Sequence, residues 1–478
     1  MELKIHNNLS RKKETFVPLE AGKAKLYTCG PTTYDFMHVG NGRAMVVGDL
    51  FHRVLKFLGY DVTYVRNYTD VDDKIIERAH ELGEDPIHLA ARFVEECRLD
   101  MESMGNIPPT HTPKVTDTMP EIIRMIEDII RNGAGYVVDG EVFFEVEKAD
   151  HYGKLSKKDL DGLQAGQRSE VDKRKKHSSD FVLWKPAKPG EPFWDSPWGK
   201  GRPGWHIECS AMAKKFLGET LDIHHGGVDL MFPHHENEIA QSEAANKKTF
   251  CNCWAHHEFL NFGSEKMSKS LGNVVSTRAF IQKYGGQVLR QLLLSVHYRA
   301  RIDWTDEVIE RATQDVKRLH EFSVELANAS GQDVPTDAAA IAEVRAFETA
   351  FRDELANDFN SAGALGQFFT FIRFVRREVF GRPASNELLA AVRAAVEKSR
   401  QALGHIADDP AAELARLEGL RGSGDVDVTW VEGLIEERKT AKATKNWARA
   451  DQIRDELKAK NVVLVDNKDG SISWKMGG

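Results

Sequence analysis

The first part of the chain alternates between the hydrophobic periods of strands and helices. Residues 24–29 show the alternation of a strand, and the apolar positions of 43–58 recur every three or four residues, as in a helix. Residues 61–66 again have the pattern of a strand. Because strands that alternate with helices form parallel sheets, we predict a parallel sheet whose ligands bind at the carboxyl ends of its strands.

The same kind of pattern returns after an interruption. Helical patterns between 72 and 131 lead into a hairpin at 136–146 and a polar stretch rich in proline and tryptophan. A helix, a strand, a helix and a strand follow within 208–260, and the chain beyond 276 is mostly helical. We therefore predict an α/β fold: a split Rossmann-type parallel sheet with an insertion, then a helical domain and a small C-terminal domain. The predicted segments are 1–115 and 201–275 for the halves of the sheet domain, 116–200 for the insertion, 276–335 and 336–421 for the helical regions, and 422–478 for the C-terminal domain.

Composition limits the classes of protein. At roughly 150 residues per domain, 478 residues leave room for about three domains. No apolar run approaches the roughly 18 residues of a membrane span, so we expect no membrane partner. Five scattered cysteines and a start without the apolar stretch of a secretory signal favour a reducing cytoplasm. The net charge of −8, taken alone, argues against a polyanion as the main partner.

Two loops carry residues that suit phosphate chemistry. His38, Gly40 and Asn41 follow the first strand and precede a helix, where backbone N–H groups can approach anionic oxygens. The stretch KMSKSLGN begins at Lys266 and offers lysines and serines that can close on a triphosphate. An HxG motif is weak evidence, whereas the second stretch is specific. The alternative for that stretch is an exposed basic loop.

Four further residues form a donor set for a metal. His234 and Glu238 share one face of a predicted helix, and Cys209 and Cys29 supply two thiols. Two thiolates, an imidazole and a carboxylate suit tetrahedral zinc, but buried structural residues are the alternative. A second zinc at Cys251 and Cys253 is disfavoured against buried strand thiols. Similarly, Cys97 is expected in the core, and an HExxH motif fails because position 239 is isoleucine.

The sequence segments around these residues resemble those of a known family. YTCGPTTYD, PGWHIECSAM, GGVDLMFPHHENEIAQ and EKMSKSLGN together closely resemble the cysteinyl-tRNA synthetases, a family of class I aminoacyl-tRNA synthetases. The resemblance implies a cysteine–tRNA ligase that uses L-cysteine, ATP with Mg²⁺ and tRNA(Cys). It also implies one zinc ion per chain, bound by Cys29, Cys209, His234 and Glu238 in the amino-acid pocket.

The resemblance assigns further roles to individual residues. His38 and Lys269 would contact the reacting phosphate, and Lys266 would support its loop. Thr69, Trp205, His224 and Asp229 would line the cysteine pocket, with Asp229 as the partner of the substrate ammonium. The alternatives are a core role for Trp205 and a helix cap for Asp229. Nucleotide contacts would come from Gly40, Asn41, Ser268, Lys269 and Ser270.

Two positions depart from the family pattern. Asn41 stands where the first motif usually has a second histidine; asparagine can still donate a hydrogen bond to phosphate or ribose but carries no charge. His225 stands where the family more often has glycine, and its bulk and charge are expected to alter the wall of the pocket.

Zinc has a physical purpose in such a pocket. Cysteine and serine differ by one atom, and a pocket that reads only shape discriminates small differences by about 10- to 200-fold. A metal that binds a thiolate distinguishes cysteine from serine directly, because the hydroxyl of serine ionises much less readily than a thiol. The absence of an obvious large editing insertion fits this picture.

The C-terminal end changes the interpretation of the net charge. Residues 438–475 contain ten basic and five acidic residues within a chain of net charge −8. Trp447 lies among the cations and suits stacking on a base, and Asp451 and Arg454 can contact base edges. The alternative is a solvated helix with one packed tryptophan. By the resemblance, this segment is the anticodon-binding end, 116–200 is the acceptor-end region, and 276–335 contacts the tRNA stem.

Two other functions stay open at this stage. A cysteine ligase could share the catalytic core but pass the adenylate to a small amino sugar, although the basic C-terminal end favours tRNA. A non-catalytic, zinc-dependent RNA-binding protein is opposed by the intact His38, Lys266 and Lys269. We expect a monomer, and the sequence leaves open whether the basic run at 173–176 contacts the acceptor stem.

Overall fold

The computed structural model describes residues 2–158, 172–262, 265–266, 275–422, 428–444, 446–459, 462–466 and 472–476. The chain divides into two compact units, Met1–Ala407 and Asp408–Gly478. Within the described ranges, no helix combines the length and the apolar character needed to cross a membrane.

The N-terminal segment builds half of the central sheet. A hairpin that the sequence pattern did not predict comes first, followed by the predicted strand, helix and strand. The helix begins earlier than its predicted start at 43, because His38 and Asn41 form a capping box at its first turn. The elements are β1 Lys4–Asn7, β2 Lys12–Thr15, β3 Lys23–Thr28, α1 Val39–Phe57, β4 Asp61–Arg66, α2 Asp73–Leu82 and α3 Pro86–Ser103.

The insertion is a small antiparallel sheet with one helix. The predicted hairpin forms, and two further strands from the proline- and tryptophan-rich stretch extend it to the order β5-β6-β7-β8. Trp184 and Phe181 on the third strand are buried, which explains why this polar stretch forms a sheet. The elements are α4 Met119–Arg131, β5 Gly135–Val138, β6 Glu141–Phe144, β7 Phe181–Pro186 and β8 Gly201–Pro203.

The second half of the central sheet follows the insertion, as predicted. Strand β9 pairs in parallel with β3, so the sheet has the order β10-β9-β3-β4 with every strand parallel. The carboxyl ends of β3 and β9 are therefore neighbours at one edge of the sheet. The elements are α5 Trp205–Leu217, β9 Leu221–Gly227, α6 His234–Asn246 and β10 Cys251–His257.

The rest of the first unit is mostly helical, as the pattern predicts. Three short strands form a small sheet of order β12-β11-β13, and a π-helical turn, Val375–Val379, continues one of the helices. The elements are β11 Leu260–Phe262, β12 Glu265–Lys266, α7 Thr277–Tyr284, α8 Gly286–Leu294, β13 Ile302–Asp303, α9 Asp306–Asn328, α10 Ala338–Ala356, α11 Ser361–Phe374 and α12 Asn386–Leu403.

The second unit has its own small core, formed by Val431, Leu434, Ile453, Leu457 and Val462. Two of its helices pack together beside an antiparallel strand pair. Its elements are α13 Pro410–Gly422, α14 Val428–Ala443, α15 Trp447–Ala459, β14 Val462–Asp466 and β15 Ile472–Met476. The bounds of the six segments that the sequence predicts stay predictions.

Buried arginines tie the helices to the loops around the sheet. The guanidinium of Arg290 on α8 is fully buried and pairs with Asp49 on α1. Burial alone would raise the pKa of Asp49, but the charges of Arg290 and Arg53 outweigh burial and lower that pKa. Similarly, Arg43 donates hydrogen bonds to the carbonyls of Phe259, Tyr298 and Ala300. Arg43 thereby joins the helix after the first motif to segments on both sides of the second motif.

We expect Arg290→Met to lower the free energy of unfolding by about 3–5 kcal/mol, because it removes a main partner of the buried Asp49 carboxylate. Denaturant unfolding followed by circular dichroism measures this loss. The matched control is Arg98→Met, which breaks exposed pairs with Glu95 and Glu102 and should leave the midpoint nearly unchanged. Equal midpoint shifts in the two variants would contradict this account of the core.

Candidate active site and metal centre

The four predicted metal ligands come from three different elements or loops around one sheet edge. Cys29 directly follows β3, and Cys209 lies one turn into α5. His234 is the first residue of α6, and Glu238 lies one turn later on the same face. All four side chains are buried. The parallel pairing of β3 with β9 thus brings together residues that are far apart in the sequence.

The ligand atoms of these residues lie close together. Cys29 Sγ is 3.8 Å from Cys209 Sγ, 3.6 Å from His234 Nε2 and 3.5 Å from Glu238 Oε1. His234 Nε2 is 3.0 Å from Glu238 Oε1. All four ligand atoms lie within 4.8 Å of one another. The structure therefore brings together the whole donor set that the sequence predicts.

These separations match the size of a zinc site. A tetrahedral zinc ion with bonds of ~2.3 Å to sulfur separates two thiolates by ~3.8 Å. The observed distance between the two thiol sulfurs is 3.8 Å. Two sulfurs, one nitrogen and one oxygen are also the donor types that zinc accepts. The residues present fit a zinc ion in both spacing and chemistry.

The members of the cluster shift one another's pKa values. Burial would raise the pKa of Glu238, but His224 and His234 lower it to about 2. In return, Glu238 and Cys209 overcome burial and raise the pKa of His234 to about 10. The hydrogen bond from Cys29 lowers the pKa of Cys209 to about 6. Cys209 and Glu238 are thereby held in their charged forms, whereas burial raises the pKa of Cys29 well above its ordinary value. His234 must lose its proton before it can bind a metal.

A second donor set overlaps the first. Cys29, His224, His235 and Glu238 also lie within reach of a common ion. This set has only one thiol, and His224 Nε2 already contacts Glu238 Oε2 at 2.9 Å. The first set is therefore the better metal site, and His235 Nε2 contacts one of its thiols, Cys29 Sγ, at 3.5 Å. The pocket role of His224 stays a prediction. Sequence reasoning missed His235, although it stands next to His234.

More histidines surround the cluster. His206 Nδ1 lies 2.9 Å from His234 Nδ1, and His235 Nδ1 lies 2.8 Å from His256 Nε2. Burial and its histidine neighbours lower the pKa of His206 and of His256 to about 3. These rings are therefore neutral hydrogen-bonding groups that fix the orientation of the site histidines.

Trp205 lies against the cluster. Its ring stacks on His234 with a centroid distance of 4.2 Å, and 39% of the residue is exposed. The core alternative for Trp205 is therefore wrong. The chain can turn into α5 here only with glycine at 204, because a Cβ on Gly204 would lie 2.0 Å from the carbonyl oxygen of Val182.

The other predicted pocket residues lie nearby in the fold. Thr69 is buried, and its hydroxyl donates to Glu208 Oε2 at 3.1 Å. Asp229 is exposed on a short 3₁₀ turn that follows β9. No side chain caps that turn, so the helix-cap alternative for Asp229 is wrong. Sequence reasoning missed Glu208; burial, Cys209 and Asp72 hold its pKa well above its usual range.

The first motif forms the amino end of α1. His38 Nδ1 accepts a hydrogen bond from the Asn41 backbone N–H at 3.2 Å, and Asn41 Oδ1 accepts one from the His38 N–H at 3.3 Å. Because Nδ1 accepts, the ring hydrogen lies on Nε2. The half-buried Gly40 lies in the same turn. Ser268, Lys269 and Ser270 lie outside the described residues, and only the backbone of Lys266 is described.

The departure at His225 has a different effect from the one expected. Its ring lies 3.3 Å from Thr28 Oγ1 and 3.1 Å from a His257 nitrogen, and it contacts Phe51 of α1. Because side chains alternate along β9, His225 points away from the side of the sheet that holds His224. Burial lowers its pKa well below the ordinary value, so the expected charge is absent.

The remaining thiols pack as predicted. Cys97, Cys251 and Cys253 are all buried. Cys251 Sγ donates to the carbonyl of Cys253 at 3.2 Å. Among the described residues, neither candidate metal group includes them.

The basic run at 173–176 is partly used inside the insertion. Arg174 pairs with Asp172 and Glu141, and Lys176 pairs with Glu145 and lies over the Tyr136 ring. These contacts fasten the run to the β5–β6 hairpin.

In the second unit, the three predicted tRNA-binding residues lie on α15. Trp447, Asp451 and Arg454 share one exposed face of this helix, as their spacing requires. Trp447 is 59% exposed, so the packed-tryptophan alternative is wrong. Arg454 pairs with Asp451 at 3.0 Å, which holds the two side chains together.

Comparison with protein-family models gives two matches. Residues 15–314 match the model described as the tRNA synthetases class I (C) catalytic domain, and residues 350–407 match the DALR domain. The chain is 47% identical to the cysteine–tRNA ligase of Geotalea uraniireducens and 46% identical to that of Geobacter sulfurreducens. Both alignments cover 100% of this chain and of the relative.

Solved structures agree on the fold. Mycobacterium tuberculosis methionyl-tRNA synthetase in complex with methionyl-adenylate is similar, with a TM-score of 0.57 at 16% identity over 84% of this chain and 94% of that one. The LeuRS of Agrobacterium radiobacter K84, in a ternary complex with tRNA and LeuAMS, has a TM-score of 0.61 at 11% identity. That match covers 84% of this chain and 86% of the other.

We expect Cys209→Ser to weaken zinc binding by more than about 100-fold, because loss of a group that merely orients a ligand already costs about 10- to 100-fold. Elemental analysis after dialysis against a chelator measures the retained metal. Cys253→Ser removes a buried thiol outside the cluster and should keep its zinc. Full zinc retention by Cys209→Ser would show that this thiol is not a ligand.

Proposed function

Because the chain belongs to the cysteine–tRNA ligase family of class I tRNA synthetases, we propose that it activates L-cysteine with ATP and transfers it to tRNA(Cys). The observation that carries the specificity is the buried cluster of Cys29, Cys209, His234 and Glu238 beside the sheet edge. A donor set that can hold a thiol-binding metal is useful in a pocket for cysteine. It would have no such use in a pocket for an apolar amino acid.

Cys29, Cys209, His234 and Glu238 would hold one zinc ion. When bound, zinc would stabilise the thiolate form of the substrate and so distinguish cysteine from serine. His224 and His235 would orient the carboxylate and thiol ligands through the contacts described above. Trp205 would cover the site, since its ring stacks on His234 and its other side is open to solvent.

The nucleotide would bind at the amino end of α1. The substrate carboxylate attacks the α-phosphate, pyrophosphate leaves and cysteinyl-adenylate remains, so no protein nucleophile is required. His38 would donate its Nε2 hydrogen to a phosphate oxygen, and the positive end of the α1 dipole would add to the positive potential there. Asn41, with its oxygen engaged by the His38 backbone, would offer its NH₂ group to phosphate or ribose. Lys266, Ser268, Lys269 and Ser270 would close over the phosphates, and Mg²⁺ would accompany ATP.

The acceptor is proposed to be tRNA rather than an amino sugar. The relatives that match over 100% of both chains are cysteine–tRNA ligases. The exposed face of Trp447, Asp451 and Arg454 suits contact with unpaired bases of an anticodon. The residues of both motifs and the candidate metal ligands are all present in the sequence, which argues against a protein that only binds RNA. A monomer and a cytoplasmic location stay predictions.

Cysteine-dependent exchange between pyrophosphate and ATP tests the activation step. We expect exchange in the wild type and a loss of about 10²–10³-fold in Lys269→Ala, because a charge that stabilises the transition state is removed. Lys248→Ala, which breaks only a surface pair with Glu219, is the control. Near-normal exchange in Lys269→Ala would refute its role, and no exchange in the wild type would refute the proposed function.

The tRNA contact is tested separately from activation. We expect Trp447→Ala to raise the KM for tRNA about 5- to 100-fold, since stacking on a base contributes about 1–3 kcal/mol. Exchange of pyrophosphate should not change, and Trp447→Phe should keep most of the affinity. An unchanged KM in Trp447→Ala would remove this residue from the tRNA interface.

A further inference from the structure

The backbone around the first motif pairs with the backbone that follows the second motif. The N–H of Val39 donates to the carbonyl of Val275 at 3.0 Å, and the N–H of Thr277 donates to the carbonyl of Met37 at 2.8 Å. His38 lies between these two hydrogen bonds, where the two segments pair as in an antiparallel sheet. The segment that follows the second motif therefore fixes the backbone on both sides of His38.

The side chain of Arg278, at the start of α7, joins this segment to α3. Its Nε donates to Asp100 Oδ1 at 2.5 Å. Its Nη2 donates to the Glu96 carboxylate at 2.7 Å and to the Glu96 backbone carbonyl at 3.1 Å. Asp100 and Glu96 lie one turn apart on α3. Because the guanidinium is a rigid fork, these three hydrogen bonds fix the position of α7 on α3.

The face of the same guanidinium covers Phe36 in the loop before the first motif. The carbon of the guanidinium lies 5.2 Å from the centroid of the Phe36 ring, and Phe36 stands two residues before His38. The Phe36 ring also meets Phe93 of α3 edge to face, with a centroid distance of 5.4 Å. Although 43% of Phe36 is exposed, its ring is thus held from two sides. The loop that carries His38 is held through its backbone and through this ring.

We propose that Arg278 is a positioning residue for the activation step: by holding α7 and Phe36 on α3, it sets the place of the His38 imidazole relative to the nucleotide. A guanidinium suits this task because its edge binds carboxylates while its face covers an aromatic ring, whereas lysine cannot do both. A misplacement of about 1 Å, caused by a change far from the reacting atoms, can cost about 100-fold in rate. The inference deepens the proposed function and rests on it.

Steady-state exchange between pyrophosphate and ATP, with the zinc-loaded full chain, tests the inference. We expect Arg278→Met to lower kcat about 10- to 100-fold and to change the KM for L-cysteine less than about twofold, because His38 acts on the reacting phosphate and not on the cysteine pocket. Arg278→Lys, which keeps the charge, should recover part of kcat. An unchanged kcat in Arg278→Met would overturn the inference.

The matched control is Arg53→Met, at the other end of α1. Arg53 also pairs with a buried aspartate, Asp49, and donates to the backbone carbonyls of Gly105 and Gln401. Its loss should destabilise the fold in the same way as the loss of Arg278 but leave kcat within about twofold of the wild type. Denaturant unfolding is measured for both variants. An equal fall of kcat in the two variants would overturn the inference, because activity would then follow stability alone.

A double-mutant cycle asks whether Arg278 acts through His38. In a His38→Ala background, we expect Arg278→Met to lower the remaining kcat less than about threefold. A full 10- to 100-fold loss in that background would overturn the inference.

Variants of Phe36 decide the matter if Arg278→Met does not fold, because they leave the ion pairs of Arg278 intact. We expect Phe36→Leu to lower kcat about 2- to 5-fold, since it removes the ring under the guanidinium, and Phe36→Tyr to keep kcat near that of the wild type. An unchanged kcat in Phe36→Leu would then overturn the inference. A wild type that exchanges pyrophosphate with cysteine, but whose kcat is unchanged by Arg278→Met, refutes this inference alone.

Discussion

A buried cluster of two thiols, an imidazole and a carboxylate is the feature on which the rest of the site depends. Its members are separated by 180 to 209 residues from Cys29 in the sequence, so the cluster exists only when both halves of the sheet are assembled. The loss of water would make such a cluster of polar groups costly on its own. A bound divalent cation would offset that cost, and its binding would then contribute to the stability of the fold.

Helix α6 connects the cluster to the insertion. Nearly all of its first turns are buried, although the sequence HHENEIAQ is polar. Glu236 accepts from the backbone N–H of Ser156 at 2.8 Å, and Asn237 accepts from the hydroxyl of Tyr152. One face of α6 carries the candidate metal ligands His234 and Glu238, while Glu236 and Asn237 hold the insertion in place. A buried polar helix therefore links the candidate metal centre to the predicted acceptor-end region.

The sequence predicts the central sheet because its strands and helices have clear periods, and it predicts the pairing of His234 with Glu238 because four residues make one turn of a helix. It does not predict the strand Phe181–Pro186, a short apolar run between a polar stretch and a proline-rich one. The partnership of Thr69 with Glu208 joins residues 139 positions apart, and no local pattern reports such a contact. Successive side chains of a strand point to opposite faces, so His225 and His224 lie on opposite sides of the sheet. The sequence alone does not show which of these two sides faces the cluster. The roles of Ser268, Lys269 and Ser270 in the second motif stay predictions, because these residues lie outside the described ranges.

The central claim is that the cluster binds zinc and reads the sulfur of the substrate. Zinc K-edge X-ray absorption on the metal-loaded protein counts sulfur neighbours at ~2.3 Å. The account predicts two sulfur ligands in the protein alone, from Cys29 and Cys209, three after addition of L-cysteine, and two after addition of L-serine. A sulfur count that stays at two with L-cysteine, or zinc without sulfur ligands, would contradict it.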